Sequence, residues 1–326
     1  MPRDTRSPDG AVVEFENVSK TFASPQGPVH AVNGLTMTMG AGQTIAFLGP
    51  NGAGKSTSLN MLLGLSRPDS GRVALFGGTA AQAIKHGRVG AMLQSGGLMS
   101  EVTVREQVQL WAKLHPRPIP VSEALKRANI ADLADRRVDK LSGGQQQRVQ
   151  FAMAIIGDSP LIVLDEPTTG MDVENRQAFW ATMRERALEG KTVLFATHYL
   201  DEADQFAERV IVINKGRLLA DGTAAEIKAS AGAKRLSFRL PGVQDAVLHR
   251  LPNLVHVERQ ADIVRLQTSD SDATLYALLD AGYRPADIEI QALGLEQAFL
   301  AITAEDNGHA GGVAGGTETQ SLEAAR

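Results

Sequence analysis

Three runs of apolar residues stand out in the pattern of hydrophobic and polar positions along the chain. They are Ile45 to Leu48, Leu161 to Leu164 and Val193 to Ala196. Continuous apolar runs of this length are typical of strands buried on both faces, as in a parallel sheet covered by helices. Polar residues follow each run. Because ligands bind at the carboxyl edge of such sheets, we expect these polar residues to converge on one ligand.

The first run leads into a glycine-rich segment in which four residues separate Gly49 from Gly54-Lys55-Ser56. This is the spacing of the phosphate-binding loop, or Walker A motif. Glycine lets backbone N–H groups curl round phosphate oxygens, and the following helix directs its positive end at them. Lys55 is the expected cation for the β- and γ-phosphates, and Ser56 the expected magnesium ligand. The predicted loop comprises Gly49, Pro50, Asn51, Gly52, Ala53, Gly54, Lys55, Ser56 and Thr57.

The other two apolar runs end in acids and in a histidine. Asp165 and Glu166 follow the second run, and Pro167 stops the strand directly after them. His198 follows the third run. Two adjacent acids at the carboxyl end of a buried strand indicate a chemical role rather than a solvated turn, because this edge of the sheet is where the nucleotide is expected.

A second anion-binding device is predicted inside a helical region. Residues 101–160 have a mostly helical pattern that prolines interrupt. Within it, Ser142 is a good N-cap, and the two glycines after it leave backbone N–H groups bare at a helix start. The residues of this device are Ser142, Gly143, Gly144 and Gln145.

Two further residues are candidate functional residues because of their neighbours in the sequence. Gln94 follows the apolar stretch Val89 to Leu93 and precedes a flexible pair of glycines. Phe22 lies upstream of the phosphate loop, where an aromatic ring can stack on an adenine base. A Phe that belongs to the core or to a loop is an equally good interpretation of that position.

The composition of the chain limits the classes of protein to which it can belong. The 326 residues, 43% hydrophobic and 21% charged, predict a soluble protein with one larger and one smaller domain. No apolar run approaches the roughly 20 residues that span a bilayer, and the N-terminus carries no secretory apolar segment, so we expect a cytoplasmic protein. The absence of cysteine excludes disulfides and thiolate chemistry. A net charge of −4 without a basic block disfavours nucleic acid as a partner.

The same pattern divides the chain into a large α/β region and a small α+β region. We expect the first domain to span residues 11–228, with a helical subdomain at about 95–160. A run of small residues at 229–233 predicts a linker, and residues 235–304 are expected to form an accessory domain. Disorder is expected at the two ends, in residues 1–10 and 305–326.

Together these motifs resemble the ATP-binding subunit of ABC transporters. The segment Leu141-Ser142-Gly143-Gly144-Gln145 is similar to the signature of that superfamily, and the resemblance covers about residues 11–226. It implies a P-loop NTPase fold, with an α/β core built on a mixed sheet, a helical subdomain and a small C-terminal α+β domain. It also implies ATP and Mg²⁺ as cofactors.

The resemblance implies roles for the residues at the sheet edge. Gly49 to Thr57 would cradle the phosphates, with Lys55 assisting catalysis. Asp165 would hold the magnesium ion, and Glu166 would be the general base for the attacking water. Gln94 would reach toward the magnesium ion and toward a membrane partner.

Further roles are implied for more distant residues. Phe22 would stack on adenine, although the family more often has Tyr there. His198 would contact the γ-phosphate, Asp172 would lie in a loop that crosses a dimer interface, and Ser142 to Gln145 would bind ATP as part of the signature. One phosphate loop, one signature and no spanning segment imply a homodimer that works with a separately encoded permease on the inner face of the cell membrane.

The end of the chain narrows the resemblance. The segment Gly294-Leu295-Glu296-Gln297-Ala298-Phe299-Leu300 looks similar to the extension of ABC-2 drug exporters of the daunorubicin-resistance type, which implies export of drugs, antibiotics or lipid-like compounds. A soluble ABC ATPase that acts on DNA or ribosomes, or in regulation, is the alternative. The short stretch between Lys55 and Leu141 and the single cassette disfavour the DNA and ribosome classes.

Overall fold

The computed structural model of the protein describes residues 10–25, 27–94, 96–230, 234–292 and 294–309. The chain forms two compact units, Met1–Ala225 and Glu226–Arg326. The disorder expected in residues 1–9 and 310–326 falls outside the described residues.

The first unit contains nine strands and seven α-helices within its described residues, together with 3₁₀ turns at Ala131–Leu133 and Val138–Lys140. The strands are β1 (Ala11–Phe22), β2 (Val29–Gly40), β3 (Thr44–Leu48), β4 (Ser70–Leu75), β5 (Val89–Met92), β6 (Leu161–Asp165), β7 (Thr192–Ala196), β8 (Arg209–Asn214) and β9 (Arg217–Gly222). The helices are α1 (Lys55–Leu62), α2 (Ala80–Lys85), α3 (Val104–Leu114), α4 (Val121–Arg127), α5 (Gly143–Ile155), α6 (Val173–Leu188) and α7 (Leu200–Phe206).

The central sheet of the first unit has the order β5-β6-β7-β3-β8-β9. Its first five strands are parallel, and β9 closes it as an antiparallel hairpin with β8. Every residue of β3, β6 and β7 is buried, which explains why these strands appear in the sequence as continuous apolar runs. The carboxyl ends of these three strands therefore lie side by side at one edge.

A second, antiparallel sheet of order β2-β1-β4 covers one face of the central sheet. Residues of both sheets and of α1 share one apolar core. On the other face, the ring of Trp180 in α6 packs against Phe195 of β7 at a centroid distance of 4.6 Å. Phe151 of α5 joins this cluster through Phe179, 4.7 Å away. These aromatic contacts anchor the helical insertion, α3 to α5, to the sheet.

The second unit is a four-stranded antiparallel sheet of order β11-β12-β10-β13 with two helices between its strands. This β-α-β-β-α-β arrangement is of the ferredoxin-like type. Its own core is built on Leu236, Phe238, Val264 and Leu266. The elements from the end of the first unit onward are α8 (Ala224–Ser230), β10 (Lys234–Arg239), α9 (Asp245–Leu248), β11 (Leu254–Gln260), β12 (Ile263–Thr268), α10 (Ser271–Asp280), β13 (Ala286–Ala292) and α11 (Leu295–His309).

Two expectations are corrected at the ends of helices. Residues 229–230, placed in the predicted linker, are the last residues of α8, because alanine favours helix over coil. Residues 305–309, placed in the predicted disordered tail, continue α11. The alanine-rich sequence before them, with Glu305, already favours helix, so the helix propagates beyond Ile302. None of the helices in the described ranges has the length and apolar character needed to cross a lipid bilayer.

Candidate active site

The phosphate loop joins the end of β3 to the start of α1. Two of its glycines are required by close packing. A Cβ on Gly49 would lie 2.6 Å from the carbonyl oxygen of Ile213, and a Cβ on Gly54 would collide with the carbonyl oxygen of Ala31. Gly54 also has a φ of 102°, which favours glycine. As the N-cap of α1 it offers no side chain to the first N–H groups of the helix, so these groups can meet an anionic ligand.

Lys55 is the first residue of α1 and is only 8% exposed. Its Nζ donates to the carbonyl oxygen of Gly49 at 2.7 Å, so the ammonium group is held over the loop. Burial lowers the pKa of Lys55, and the nearby charges of Glu166 and Asp165 oppose this shift. A cation at this position is well placed to neutralise phosphate oxygens bound by the loop.

Asp165 is the last residue of β6 and is 3% exposed. Burial raises the pKa of its carboxyl group, while a hydrogen bond from the Ser56 hydroxyl acts in the opposite direction. Within the described part of the chain, Oδ1 of this carboxylate has no hydrogen-bond partner. A buried carboxylate oxygen without a partner, beside a serine hydroxyl, is the set of hard oxygen donors that suits Mg²⁺.

Glu166 follows Asp165 in a strained backbone conformation, with a φ of +52°. Its N–H donates to Ala196 at the end of β7 at 2.8 Å. Its carbonyl oxygen accepts from Nε2 of Gln147 in α5 at 2.9 Å. The surrounding structure therefore fixes the backbone of Glu166 from two sides, and the strain persists at a position where chemistry is expected.

The side chains of Glu166 and His198 contact each other directly. Oε2 of Glu166 lies 2.6 Å from Nδ1 of His198, which follows β7. The Glu166 side chain is 12% exposed and the His198 side chain 50% exposed. An ionised Glu166 carboxylate can only accept a hydrogen bond, so Nδ1 of His198 carries the proton of this contact. Nε2 takes no part in it. A carboxylate fixed by a half-exposed imidazole is suited to accept a proton from a bound water.

The remaining predicted residues lie around this group. Gln94 is exposed and follows β5, the neighbour of β6 in the sheet. Phe22 ends β1, is 46% exposed, and has Nζ of Lys20 at 5.6 Å from its ring centroid. It is not a core residue, so its ring remains available for stacking.

The signature segment forms the predicted helix start. Ser142 is the N-cap of α5, and it exchanges hydrogen bonds with Gln145 in a capping box. Gly143 is exposed, and a Cβ added there would have no neighbour within 4 Å, whereas a Cβ on Gly144 would lie 2.9 Å from the carbonyl oxygen of Gly170. The start of α5 thus packs against the loop that follows Glu166 and presents an open face at Gly143.

Asp172 is the N-cap of α6 and accepts from the N–H of Asn175 at 2.9 Å. Its exposed side chain lies in the loop between β6 and α6, where the resemblance predicts an interface. Sequence reasoning missed the role of Gln147, which holds the Glu166 carbonyl oxygen. Its position in the helix that follows the signature was the available signal, but the sequence does not show that this helix reaches β6.

Comparisons with known proteins identify the family to which these motifs belong. A sequence model of the ABC transporter family matches residues 32–169. The daunorubicin resistance ATP-binding protein DrrA3 of Streptomyces coeruleorubidus is 34% identical over 295 residues, which is 86% of this chain and 93% of that protein. The chain belongs to the ABC transporter family. It is an ABC ATPase, as the motifs predicted. A second relative of this ABC ATPase, the Nod factor export ATP-binding protein I of Burkholderia lata, is 39% identical over 219 residues, covering 65% of this chain and 71% of that protein.

Solved structures confirm the predicted fold class of the ABC ATPase. The dimeric structure of MJ0796, a bacterial ABC transporter cassette, matches with a TM-score of 0.60 and 28% identity, over 65% of this chain and 98% of that chain. A post-hydrolysis state of the same cassette, bound to ADP and Pi, matches with the same TM-score. The α/β core with a mixed sheet is thus the fold of ATP-binding cassettes.

Proposed function

We propose that this ABC ATPase hydrolyses ATP with Mg²⁺ at the carboxyl edge of its central sheet and thereby powers an ABC-2 type exporter. The observation that carries the proposal is the 2.6 Å contact between Glu166 and His198 beside the buried, partly unpartnered carboxylate of Asp165. The loop N–H groups and Lys55 bind the β- and γ-phosphates, and Ser56 and Asp165 hold the metal ion with Gln94 at the rim. The ion neutralises charge on the phosphate oxygens when it is bound.

Glu166 acts as the general base in this proposal. Its carboxylate accepts a proton from a water molecule as the water oxygen attacks the γ-phosphorus. The bond from that phosphorus to the bridging oxygen breaks, which releases ADP and phosphate. His198 holds the carboxylate through Nδ1. When the imidazole carries a second proton, Nε2–H can donate to an oxygen of the γ-phosphate.

The Glu166→Gln variant tests this assignment. An amide of the same shape cannot accept the proton, so we expect turnover to fall by about 10²–10⁴-fold while ATP still binds. Phosphate release measures turnover, and a fluorescent ATP analogue measures binding. Asp201→Asn, which changes an exposed acid at the start of α7, is the matched control and should retain turnover. Retention of more than half of the wild-type turnover by Glu166→Gln would contradict the role of Glu166.

The export role is supported by the names of two relatives. One is a Nod factor export protein and the other a daunorubicin resistance protein, and the second matches along 86% of this chain. The proposed cargo is therefore a small molecule, with drugs, antibiotics and lipid-like compounds as the candidates. The ATPase itself is proposed to work in the cytoplasm, held at the inner face of the membrane by its permease.

A cleft of about 330 Å³ between β5 and the helical insertion is the proposed docking site of a separately encoded permease. Its lining includes Leu65 and Leu114, which are 65% and 72% exposed. The loop after Gln94 runs beside this cleft, and the side chain of Gln107 in α3 donates to Gly97 at 2.9 Å. Movement of the insertion would therefore be transmitted to the loop that begins at Gln94.

Leu114→Glu tests this docking site. A charge in the apolar cleft should prevent co-purification of the permease from membranes while basal ATP turnover is retained, because a buried unpaired charge is costly. Leu188→Glu is the matched control, since Leu188 is 89% exposed at the end of α6 and outside the cleft lining. Equal co-purification by the two variants would exclude the cleft.

The proposed assembly is a homodimer in which each chain presents its signature to the ATP of the other. Support comes from the exposed Ser142 and Gly143 at the start of α5, and from the dimeric structure of MJ0796. A two-fold axis gives two equivalent composite sites. In the Glu166→Gln variant, ATP should remain bound and hold the dimer together. Light scattering should then show a dimer with ATP and Mg²⁺ and a monomer without them.

A further inference from the structure

Glu202 is a buried carboxylate that the mechanism above does not use. It lies in the first turn of α7 and is 3% exposed. Oε1 accepts a hydrogen bond from the Thr168 hydroxyl at 2.5 Å, and Oε2 accepts one from the Thr197 hydroxyl at 3.2 Å. Nε of Arg176 lies 3.6 Å from Oε1. One side chain therefore accepts hydrogen bonds from two others and forms an ion pair with a third, each from a different segment.

Two of these partners flank the residues of the active site. Thr168 is the second residue after Glu166, and Thr197 directly precedes His198. Both threonines are buried, at 0% and 1% exposure. Glu202 thus links the chain that leaves β6 to the chain that leaves β7. The 2.6 Å contact between Glu166 and His198 depends on the relative position of these two segments.

The third partner, Arg176, connects Glu202 to the loop that contains Asp172. Arg176 lies in the first turn of α6, and its N–H donates to the carbonyl oxygen of Asp172 at 3.0 Å. Its guanidinium lies 4.8 Å from the ring centroid of Tyr199, whose ring is in turn 4.1 Å from that of His198. The cation that balances the charge of Glu202 therefore also packs against the neighbour of His198.

A carboxylate is a costly choice for a position that needs only to fill space. Removing a charge from water is energetically costly, and an apolar residue of similar volume commonly gives equal or better stability. A carboxylate, by contrast, accepts two directional hydrogen bonds at once, and such charge-assisted bonds are short and strong. A buried carboxylate at this position therefore fixes the geometry of its partners at a cost in stability. It does so close to Glu166, whose backbone is itself strained.

We propose that Glu202 is a positioning residue for ATP hydrolysis: it holds the ends of β6 and β7 in the relative position at which Glu166 and His198 meet. The inference rests on the proposed roles of Glu166 and His198. Loss of the clamp lowers kcat, because His198 then no longer meets Glu166 and no longer holds the base at the attacking water. It leaves the binding of ATP largely intact, because the phosphate loop and α1 make no part of the clamp.

Glu202→Ala and Glu202→Gln are the test variants. We expect kcat to fall by about 10–100-fold in Glu202→Ala, since misplacement by about 1 Å can cost on the order of 10²-fold. Glu202→Gln keeps the shape and one acceptor oxygen, so a smaller fall is expected. KM and the Kd for ATP should stay within about twofold of wild type. Asp201→Asn, the exposed neighbouring acid, should keep the wild-type kcat.

A double-mutant cycle separates positioning from general destabilisation. In a His198→Ala background the contact that Glu202 supports is already absent, so adding Glu202→Ala should change the residual kcat by less than about twofold. Release of labelled phosphate measures this residual turnover. Equal losses in the two backgrounds would overturn the inference, because a structural defect acts whether His198 is present or not. If Glu202→Ala does not fold, the same cycle with the isosteric Glu202→Gln distinguishes positioning from general destabilisation.

The outcome distinguishes this inference from the proposed function. Turnover retained by Glu166→Gln would overturn the role of Glu166 as the base. Turnover lost in Glu166→Gln but unchanged in Glu202→Ala would overturn only the positioning role of Glu202. A rise in KM with unchanged kcat in Glu202→Ala would also overturn it, since that result assigns the residue to ATP binding.

Discussion

One buried polar group in each unit shows a contrast between the two units of the protein. In the second unit the hydroxyls of Thr268 and Thr274, both fully buried, lie 2.5 Å apart. The Thr274 hydroxyl also has two possible acceptors for its one proton, the carbonyl oxygens of Asp270 at 2.7 Å and Pro252 at 2.9 Å. In the first unit Oδ1 of Asp165 is buried and has no partner within the described residues. Satisfied polar groups support a fold, whereas an unsatisfied buried carboxylate destabilises it.

The charged side chains of the two units differ in the same way. The ion pairs of the second unit lie at its surface, as in Arg239–Asp287, where the two side chains are 59% and 68% exposed. In the first unit Lys55 and Asp165, for which we propose roles in ATP binding, are buried at the carboxyl edge of a parallel sheet. We infer that the first unit gives up stability at this edge to bind a charged ligand, while the threonine network of the second unit stabilises its fold.

Leu266→Ala is expected to have the largest effect on the second unit. Leu266 is fully buried on β12, so removing its side chain should lower the free energy of unfolding of that unit by about 2–5 kcal/mol. Thermal unfolding followed by circular dichroism measures the change. Leu300→Ala, at a leucine of α11 that is 58% exposed, should stay within about 0.5 kcal/mol of wild type. Loss of ATP affinity in Leu266→Ala, measured below its unfolding temperature, would contradict the division of roles.

Lys55→Ala removes the buried cation of the phosphate loop. Loss of one preorganised donor to a reacting group costs about 10²–10³-fold in turnover, and ATP affinity should fall as well. Isothermal titration with ATP and a phosphate-release assay measure the two effects. Lys234→Ala changes an exposed lysine of the second unit and should alter neither. An ATP dissociation constant unchanged by Lys55→Ala would show that this loop is not the nucleotide site.

Asp165→Asn is expected to have the smallest effect on the free energy of unfolding. It should raise this free energy, whereas Leu266→Ala lowers it. Burial raises the pKa of Asp165 above its value in the unfolded chain, so the wild type loses stability as the pH rises through these two values. A neutral amide avoids this loss, and the nucleotide-free variant should be more stable at pH 7 by about 1 kcal/mol. It should also lose the additional stabilisation by Mg²⁺ with ATP.

Denaturant unfolding at acid and at neutral pH measures this prediction. The advantage of Asp165→Asn over wild type should grow from acid to neutral pH, and the exposed Asp132→Asn control should show no such trend. A variant less stable than wild type at pH 7 without nucleotide would mean that the carboxylate is paired in solution.

Much of the reactive edge was predictable because its motifs are local. The loop Gly49 to Thr57, the acids after β6 and the histidine after β7 were assigned to strand ends from short apolar runs, and the sheet order confirms that those ends are adjacent. Residues 235–304 were expected to form a domain, but its strand β13 was not predicted separately, although Asp287 to Gln291 in β13 alternates polar and apolar residues as a strand does.

The sequence by itself determined the family, the nucleotide loop and the identity of the groups at each strand end, because spacing within a few residues fixes which backbone and side-chain groups meet one phosphate. Only the tertiary structure decided how those groups are held. Gln147 reaches the Glu166 carbonyl oxygen from another helix, and Glu202 joins Thr168 to Thr197 across a gap of many residues. Such contacts depend on sheet order and on how helices pack over it, and these follow from burial summed over the whole unit rather than from any local pattern.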